Sequence, residues 1–257
     1  MSIYQHFRPE EHAFIDQVLE WKEYVSHSYS PKLTDFLDPR EQQIVRSVIG
    51  SITEVLVQFF GGADHLERKR ALLYPSYYEP EKDDYSIKLF EIDYPRKFVN
   101  IEHPQVLGSL MSLGLKRSKF GDIVTDEQRL QIVIAQEVAD YISLNLQSIG
   151  RAKVKLIEMD LTEMIHIAEN WREESCTVSS MRLDVIIAEA FHLSRSKAAP
   201  LITAGLVKVN WRKTEETAFE CQEGDMISVR GHGRCKLTTV EGKTKKDKWR
   251  IKLTKSK

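Results

Sequence analysis

The 257-residue chain is 42% hydrophobic and 29% charged with a formal net charge of −1, values ordinary for a soluble globular protein of two or three modest domains. No run of about 18 apolar residues is present to span a bilayer, and the opening M-S-I-Y-Q-H-F-R-P-E lacks the apolar stretch of a signal peptide. Three cysteines without a C-x-x-C spacing argue against a disulfide framework or a zinc site, so a reducing cytoplasm is the expected location, with no membrane insertion and no cofactor.

In chain order, residues 1–75 are expected to be a mostly helical α/β segment with a strand pair. Phe14, Val18, Trp21 and Val25 recur at helical spacing and give one apolar face. Asp38-Pro39-Arg40-Glu41 is a helix start, with an Asp cap, Pro in the first turn and Glu three residues after the cap. Ile44, Val45, Val48 and Ile49 supply the buried side of that helix. Residues 54–60 read as a strand stopped by Gly61-Gly62, residues 66–70 as a basic helical segment and residues 71–74 as a short apolar run. Residues 75–84, rich in Pro and acids, read as a linker.

Beyond the linker the pattern is regular. Strands are expected at residues 87–92, 121–124, 130–135 and 154–158, and helices at 103–115 and 136–147, with a turn at Asp126-Glu127. The order β-α-β-β-α-β predicts a ferredoxin-like domain over residues 85–160, two helices on one face of an antiparallel sheet. Modules of this fold that bind RNA stack bases on aromatics of the central strands, and here those strands offer only Phe90. Residues 161–174 are read as a continuing helix.

Charge then reverses: residues 177–257 carry roughly +8 and residues 1–176 roughly −9, which marks the C-terminal third as the polyanion-binding end. Ser179-Ser180 are candidate caps for a helix packed through Leu183, Ile186, Ile187 and Ala190. Ser194 is expected to cap a second helix, with Arg195 and Lys197 pointing outward and Gly205 as its left-handed stop. Residues 206–210 alternate, with Val207 and Val209 inward and Lys208 and Asn210 outward. Gly224-Asp225 turns the chain into a strand that ends at Arg230-Gly231-His232-Gly233-Arg234, where two glycines permit close backbone approach to a ligand or simply mark a bulged strand end. The segment Trp249-Arg250-Ile251-Lys252-Leu253 reads as a last strand with apolar residues on one side and cations on the other.

The series Arg182-Leu183-Asp184, Ser194-Arg195-Ser196, Gly205-Leu206-Val207-Lys208-Val209-Asn210 and Gly224-Asp225 resembles the S-four RNA-binding domain, a helix pair on a small antiparallel sheet. The motif covers about a fifth of the chain, and its elements fall in order at matching spacing. With residues 103–122 (H-P-Q-V-L-G-S-L-M-S-L-G-L-K-R-S-K-F-G-D) and the C-terminal place of the motif, the whole chain resembles the YlmH family of Gram-positive bacteria. The resemblance implies an α+β protein with a C-terminal RNA-binding domain at residues 177–257. It assigns RNA contacts to Arg182, Ser194, Arg195, Ser196, Lys197, Lys208, Asn210, Arg212 and Lys213, to which the residue pattern adds Arg230 and Arg234. The family turn reads Asn-Gly; here Trp211 follows Asn210, a bulky residue at a position that a two-residue turn needs at positive φ. Trp211 either stacks on an exposed base or covers the sheet edge. Lys116, Arg117 and Lys119 are a second candidate RNA contact, or a solvated loop.

Other motifs fail. Arg-Leu-Asp occurs in pseudouridine synthases around the nucleophilic Asp, but Asp184 lies within the RNA-binding helix with no catalytic domain after it, and is read as structural, paired with a nearby Arg. Gly61-Gly62 lacks the Lys-Ser/Thr ending of a phosphate loop, no G-x-G-x-x-G follows a strand, and His103, His166, His192 and His232 are scattered. The resemblance therefore implies a non-enzymatic RNA-binding protein that docks on ribosomal RNA or tRNA of the large ribosomal subunit, in quality control of stalled subunits. It also implies a link to cell division, with a division protein as partner and enrichment at the septum. An RNA-modifying enzyme that uses the C-terminal domain for delivery, and a septal interaction protein, are the alternatives.

Overall fold

A computed structural model describes residues 3–50, 54–126, 128–166 and 171–256. The chain forms two compact units, Met1–Ile167 and Ala168–Lys257. Helices and strands both contribute throughout, and the fold is α+β.

The first unit begins with α1 (His12–Ser28), β1 (Lys32–Leu37), α2 (Pro39–Ile49), β2 (Val55–Phe60) and β3 (Lys69–Pro75). The cap read from the sequence forms as expected: Glu41 N–H donates to Asp38 Oδ1 at 2.9 Å, and Asp38 N–H donates back to Glu41 Oε2 at 2.7 Å. Ile15, Val18 and Val25 of α1 pack with Ile44, Val45, Val48 and Ile49 of α2 over an antiparallel sheet of order β1-β3-β2. The sheet has three strands, one more than the expected pair. Residues 66–70 are not helical. The Asp122 carboxylate accepts from the backbone N–H groups of Glu67 and Arg68 at 2.6 and 3.1 Å, and the chain enters the central strand β3, where Ala71, Leu72, Leu73 and Tyr74 are all buried. A strand covered on both faces reads as a continuous apolar run, which periodicity cannot separate from a short helix. The expected linker is packed too: Tyr85, closing a 3-10 turn (Lys82–Tyr85), is buried with Leu72 and Tyr74, and the Tyr78 hydroxyl donates to Asp84 at 2.8 Å.

The same unit continues with β4 (Ile87–Asp93), α3 (His103–Ser112), β5 (Phe120–Thr125), β6 (Leu130–Ala135), α4 (Gln136–Asn145), a small hairpin of β7 (Ser148–Ile149) and β8 (Ala152–Lys153), and β9 (Lys155–Met159). The antiparallel order β5-β6-β4-β9 is the ferredoxin-like arrangement expected from the element order. Asp126 stands at the expected turn, its carboxylate accepting from the Gln128 and Arg129 amides; Glu127 lies outside the described residues. One sheet face packs under α3 and α4 through Phe90, Ile132, Ile134, Val106, Leu110 and Ile142. The other buries Leu89, Val133 and Ala135 against Phe36 of β1, Leu66 and Ile165. Gly121 allows that approach, since a Cβ there would stand 3.0 Å from the Phe36 ring. Phe90 thus faces the helices, and the sheet face that stacks bases in RNA-binding relatives of this fold is covered.

The second unit holds β10 (Arg172–Val178), α5 (Leu183–Ala190), α6 (Arg195–Thr203), β11 (Val207–Val209), β12 (Arg212–Lys213), β13 (Met226–Val229), β14 (Gly233–Lys243) and β15 (Trp249–Ser256). The helix expected over residues 161–174 is absent: a 3-10 turn covers Leu161–Glu163, residues 167–170 lie outside the described residues, and β10 pairs along its whole length with β15. The long β10–β15–β14 ladder supplies more hydrogen bonds than one isolated helical turn would, and local propensity yields to it. The sheet order is β10-β15-β14-β13-β11-β12, and Val207, Val209, Ile227, Val229, Cys235, Leu237, Ile251 and Leu253 pack under the helix pair.

Candidate nucleic-acid interface

Asp184 organises the helix pair. Its side chain is buried at the start of α5, where Arg182 donates through Nε and Nη2 at 3.0 and 3.2 Å, and Arg195 at the start of α6 donates through Nη2 at 2.7 Å. Partial burial works against the carboxylate charge, but the two guanidinium groups outweigh it and hold the carboxyl below its usual range. The bond to Asp184 raises the pKa of Arg182 in turn. The arginines themselves stay accessible, with side chains 41% and 57% exposed. One carboxylate therefore fixes two cations that keep free N–H edges for phosphate, and leaves the trio with a net positive charge.

The neighbours place the rest of the first turn of α6. Arg182, rather than Ser179 or Ser180, is the N-cap of α5, and the strand-like bridge from Arg182 to Glu220 replaces a side-chain cap. Ser194 stands at the N-cap of α6, but its hydroxyl bonds Ser196 Oγ at 2.8 Å instead of capping a backbone amide. Both hydroxyls are exposed, as is Lys197, which makes no ion pair among the described residues.

The hairpin after α6 corrects the expected orientation of Asn210. Val209 pairs with Arg212 and Lys208 with Lys213, so Asn210 and Trp211 are the two turn residues, at φ +48° and +65°. Both therefore occupy the left-handed region that a type I′ turn requires, and the Trp does not abolish the turn. Asn210 is buried rather than outward: its Nδ2 donates to Asp225 Oδ1 at 2.7 Å, and its Oδ1 accepts from Met226 N–H at 2.9 Å. Asp225, also buried, accepts from Gln222 N–H as well. Asn210 thus builds the turn, and Asp225 is the structural partner that the sequence reading passed over, although the Gly224-Asp225 pair pointed to it. Lys208 and Arg212 are exposed. Lys213 lies across the end of α6 at Gly205 (φ +66°), where a Cβ would come within 1.9 Å of its Cε, and it pairs with Glu215 at 2.6 Å. Its ammonium is thus partly committed within the fold.

A left-handed Trp costs about 1 kcal/mol relative to Gly. Trp211→Gly is therefore expected to leave stability unchanged or to raise it by up to about 1 kcal/mol in urea unfolding, while RNA affinity falls. A loss of more than about 1 kcal/mol would instead make the indole a packing residue.

Arg230 is exposed in the turn joining β13 to β14, its N–H bonded to Leu206 O at 2.9 Å. Arg234 sits within β14, its guanidinium 5.8 Å from the Trp171 ring centroid. In the first unit, two of the three second-contact candidates are spent internally. Arg117 donates to the carbonyls of Phe120 and Gly121, and burial, with the charge of Arg68, pushes its pKa down to about 10 without discharging it at neutral pH. Lys119 bonds Asp35 at 2.6 Å and Glu137 at 3.0 Å. Lys116 is exposed there, while Arg117 and Lys119 are the two that bond within the first unit. No cluster of three or more metal-ligating side chains occurs among the described residues, and none of their helices is long and apolar enough to cross a membrane.

Family models match the chain in three blocks: a YlmH N-terminal region at residues 10–78, a putative RNA-binding domain in YlmH at 80–163, and an S4 domain at 181–227. Ribosome-associated protein quality control protein P2 of Bacillus subtilis (strain 168) is 48% identical over 256 residues, spanning 100% of this chain and 99% of its own length. The chain belongs to the YlmH family. The solved structure of cell division protein ylmH from Streptococcus pneumoniae is 38% identical, with a TM-score of 0.56 over 64% of this chain and all of that one. The Asp184 arrangement falls inside the S4 match of this YlmH-family chain. In the matched putative RNA-binding domain, the sheet face opposite the helices is buried by Phe36, Leu66 and Ile165.

Proposed function

We propose that this chain is a non-enzymatic RNA-binding protein whose C-terminal unit docks on ribosomal RNA or tRNA of the large ribosomal subunit, in the quality control of stalled subunits. The observation that carries the reading is the pair of half-exposed arginines fixed by buried Asp184 within the S4 region. Phosphate recognition rewards planar donors held in place before binding, because less side-chain freedom is lost on contact. The Bacillus relative, described as a ribosome-associated quality control protein, supports the ribosome as the place of action and a cytoplasmic location. RNA-binding residues on this reading are Arg182, Ser194, Arg195, Ser196, Lys197, Lys208, Trp211, Arg212, Arg230 and Arg234, with Asn210 shaping their hairpin. A division partner, with enrichment at the septum, is part of the reading; the pneumococcal relative, itself described as a cell division protein, supports the division link alone.

Co-sedimentation of the full chain with isolated large subunits, repeated across a salt series, tests the reading. Binding is expected to fall steeply, with log K dropping about 0.7–0.9 per phosphate neutralised for each unit of log salt. Salt-independent association, or none, would sink it.

A further inference from the structure

Phe98 is the most exposed large apolar side chain among the described residues, at 86%. It stands in the turn that leaves β4 for α3, where the Pro95 carbonyl accepts from the Phe98 and Val99 N–H groups at 3.0 and 3.2 Å. Tyr94 before the turn, and Val99 and Ile101 after it, pack into the core under α3 and α4. The turn is therefore clamped at both ends, and Val99 pointing inward leaves the ring before it in water. One exposed ring needs no explanation by itself; the charges around it do.

A second element reaches the same end of the domain. β4 pairs with β9 as far as Asp93 opposite Lys155, so the turn departs where the β7–β8 hairpin feeds β9. Ile149 and Ala152 of the hairpin are buried in the core that takes Tyr94 and Val99. Gly150 at its tip lies against the first turn of α3, where a Cβ would stand 3.8 Å from Gln105 Nε2. Lys97 on the turn, with Arg151 and Lys153 on the hairpin, is exposed, and none of the three makes an ion pair among the described residues. Arg96 stands there too, 3.5 Å from Glu91 and 5.2 Å from the Tyr94 ring centroid. The acids at this end are Glu91, Asp93 and Glu102, the last at the start of α3. With Glu91 matched to Arg96 and Asp93 opposite Lys155, three cations stand against one carboxylate. Other cations of this unit are spent: Arg70 and Lys119 on Glu137, Lys88 on Glu158, Arg129 on Asp126.

An aromatic face accepts any unpaired base, and lysine and arginine take the phosphates on either side of it. The centre of a protein–protein interface is depleted in charge, and a bilayer surface takes an apolar stripe rather than one ring among cations. RNA-binding modules of this fold use the sheet face opposite their helices, which here is buried by Phe36, Leu66 and Ile165. We propose that the turn at residues 95–98 and the β7–β8 hairpin form a site for an unpaired RNA nucleotide, with Phe98 stacked on its base and Lys97, Arg151 and Lys153 on the flanking phosphates. The proposal rests on the RNA-binding reading above, and places on the first unit a contact that uses none of the C-terminal residues named there.

The test compares two RNAs on the full-length protein, a hairpin with a loop of about six unpaired nucleotides and a blunt duplex of the same stem. Phe98→Ala is expected to bind the hairpin about fivefold or more weakly than the wild type, and the duplex with unchanged affinity, since the duplex offers no unstacked base. Phe98→Tyr keeps an aromatic face and should restore hairpin binding. Lys97→Ser with Arg151→Ser and Lys153→Ser should weaken hairpin binding and flatten its salt dependence. These side chains face solvent, and circular dichroism melting checks that each variant is folded. A 4-thiouridine in the loop should crosslink to the peptide that carries Phe98 in the wild type and not in Phe98→Ala. Hairpin affinity unchanged in Phe98→Ala, or lost equally on both RNAs, would overturn the site while wild-type binding keeps the RNA-binding reading standing. Retention of a polyglutamate peptide or of phosphatidylglycerol vesicles by the wild type but not by Phe98→Ala would then identify a protein or a membrane as the occupant. No binding of either RNA by the wild type would overturn both.

Discussion

The full chain carrying Arg182→Ala and Arg195→Ala is expected to bind large ribosomal subunits about a hundredfold or more weakly than the wild type at fixed salt. Hydrogen bonds to charged groups contribute about 1.5–3 kcal/mol each, and about 1.4 kcal/mol corresponds to tenfold in affinity. Both guanidiniums are half-exposed and held by one carboxylate, so each is placed to make such a contact without first being ordered. Asp184→Asn separates positioning from charge. It keeps both arginines and adds one unit of positive charge, so tighter binding would follow if charge alone governed affinity. Weaker binding, by roughly tenfold, is expected because the carboxylate no longer holds the two forks. The Asp184 carboxyl is depressed relative to its unfolded value, so its contribution is complete above an unfolded pKa of about 3.9 and is lost as pH falls through the lower folded value. At neutral pH the trio is intact, and a neutral-pH titration of the three variants by filter binding settles the order. Equal affinity of the double variant and wild type would remove this site from the mechanism.

Arg70→Met is expected to lower the stability of the first unit by about 3 kcal/mol. Arg70 is buried between β1 and the ferredoxin-like sheet, donating to Thr34 O at 2.7 Å, Ser86 O at 3.0 Å and both Glu137 oxygens at 3.1 and 3.2 Å. Its removal takes a donor from the Thr34 carbonyl and two from the Glu137 carboxylate, while Ser86 O keeps the Gln136 N–H; an acceptor deprived of its partner costs about 1–3 kcal/mol. Arg68 makes the companion joint, reaching Phe36 O at 2.8 Å and Phe120 O at 3.3 Å. Calorimetry of the full chain reads the effect. With two compact units, the transition of the first should fall by roughly 6–12 °C while that of the second stays in place. Lys119→Met is the contrast: its ion pairs to Asp35 and Glu137 are part-exposed, and a loss of about 0.5–1 kcal/mol is expected. If Arg70→Met shifted the first transition by less than about 2 °C, these hydrogen bonds would not be what joins the N-terminal sheet to the domain beside it.

The two results bear on different questions. The Arg70 network explains why a sequence with three apparent segments folds its first two as one unit: the face that an RNA-binding ferredoxin-like sheet would leave open receives Phe36, Leu66 and Ile165. The Asp184 arrangement belongs to the second unit, where the cationic surplus lies. Neither requires catalysis.

Much of this protein was legible in one dimension. The cap at Asp38, the apolar run of residues 130–135, the βαββαβ order and the S-four series are all local patterns, legible from residue type and spacing. The sequence also determined the charge division and, through Arg-Leu-Asp followed by Ser-Arg-Ser, that Asp184 would meet arginine. Tertiary structure alone decided the rest. Residues 69–70 and 172–178 became strand because long ladders outweigh weak helical preference, and no local signal reports the partner strands, β1 and β2 for the one and β15 for the other, that complete those ladders. Asn210 turned inward because Asp225, fifteen residues on, offered a buried acceptor. Lys119 and Arg117 left the candidate RNA surface because Asp35, Glu137 and two backbone carbonyls lie within reach only once the first unit is folded. A cation's residue type fixes its charge; what stands beside it in the fold decides whether that charge faces a phosphate or a carboxylate.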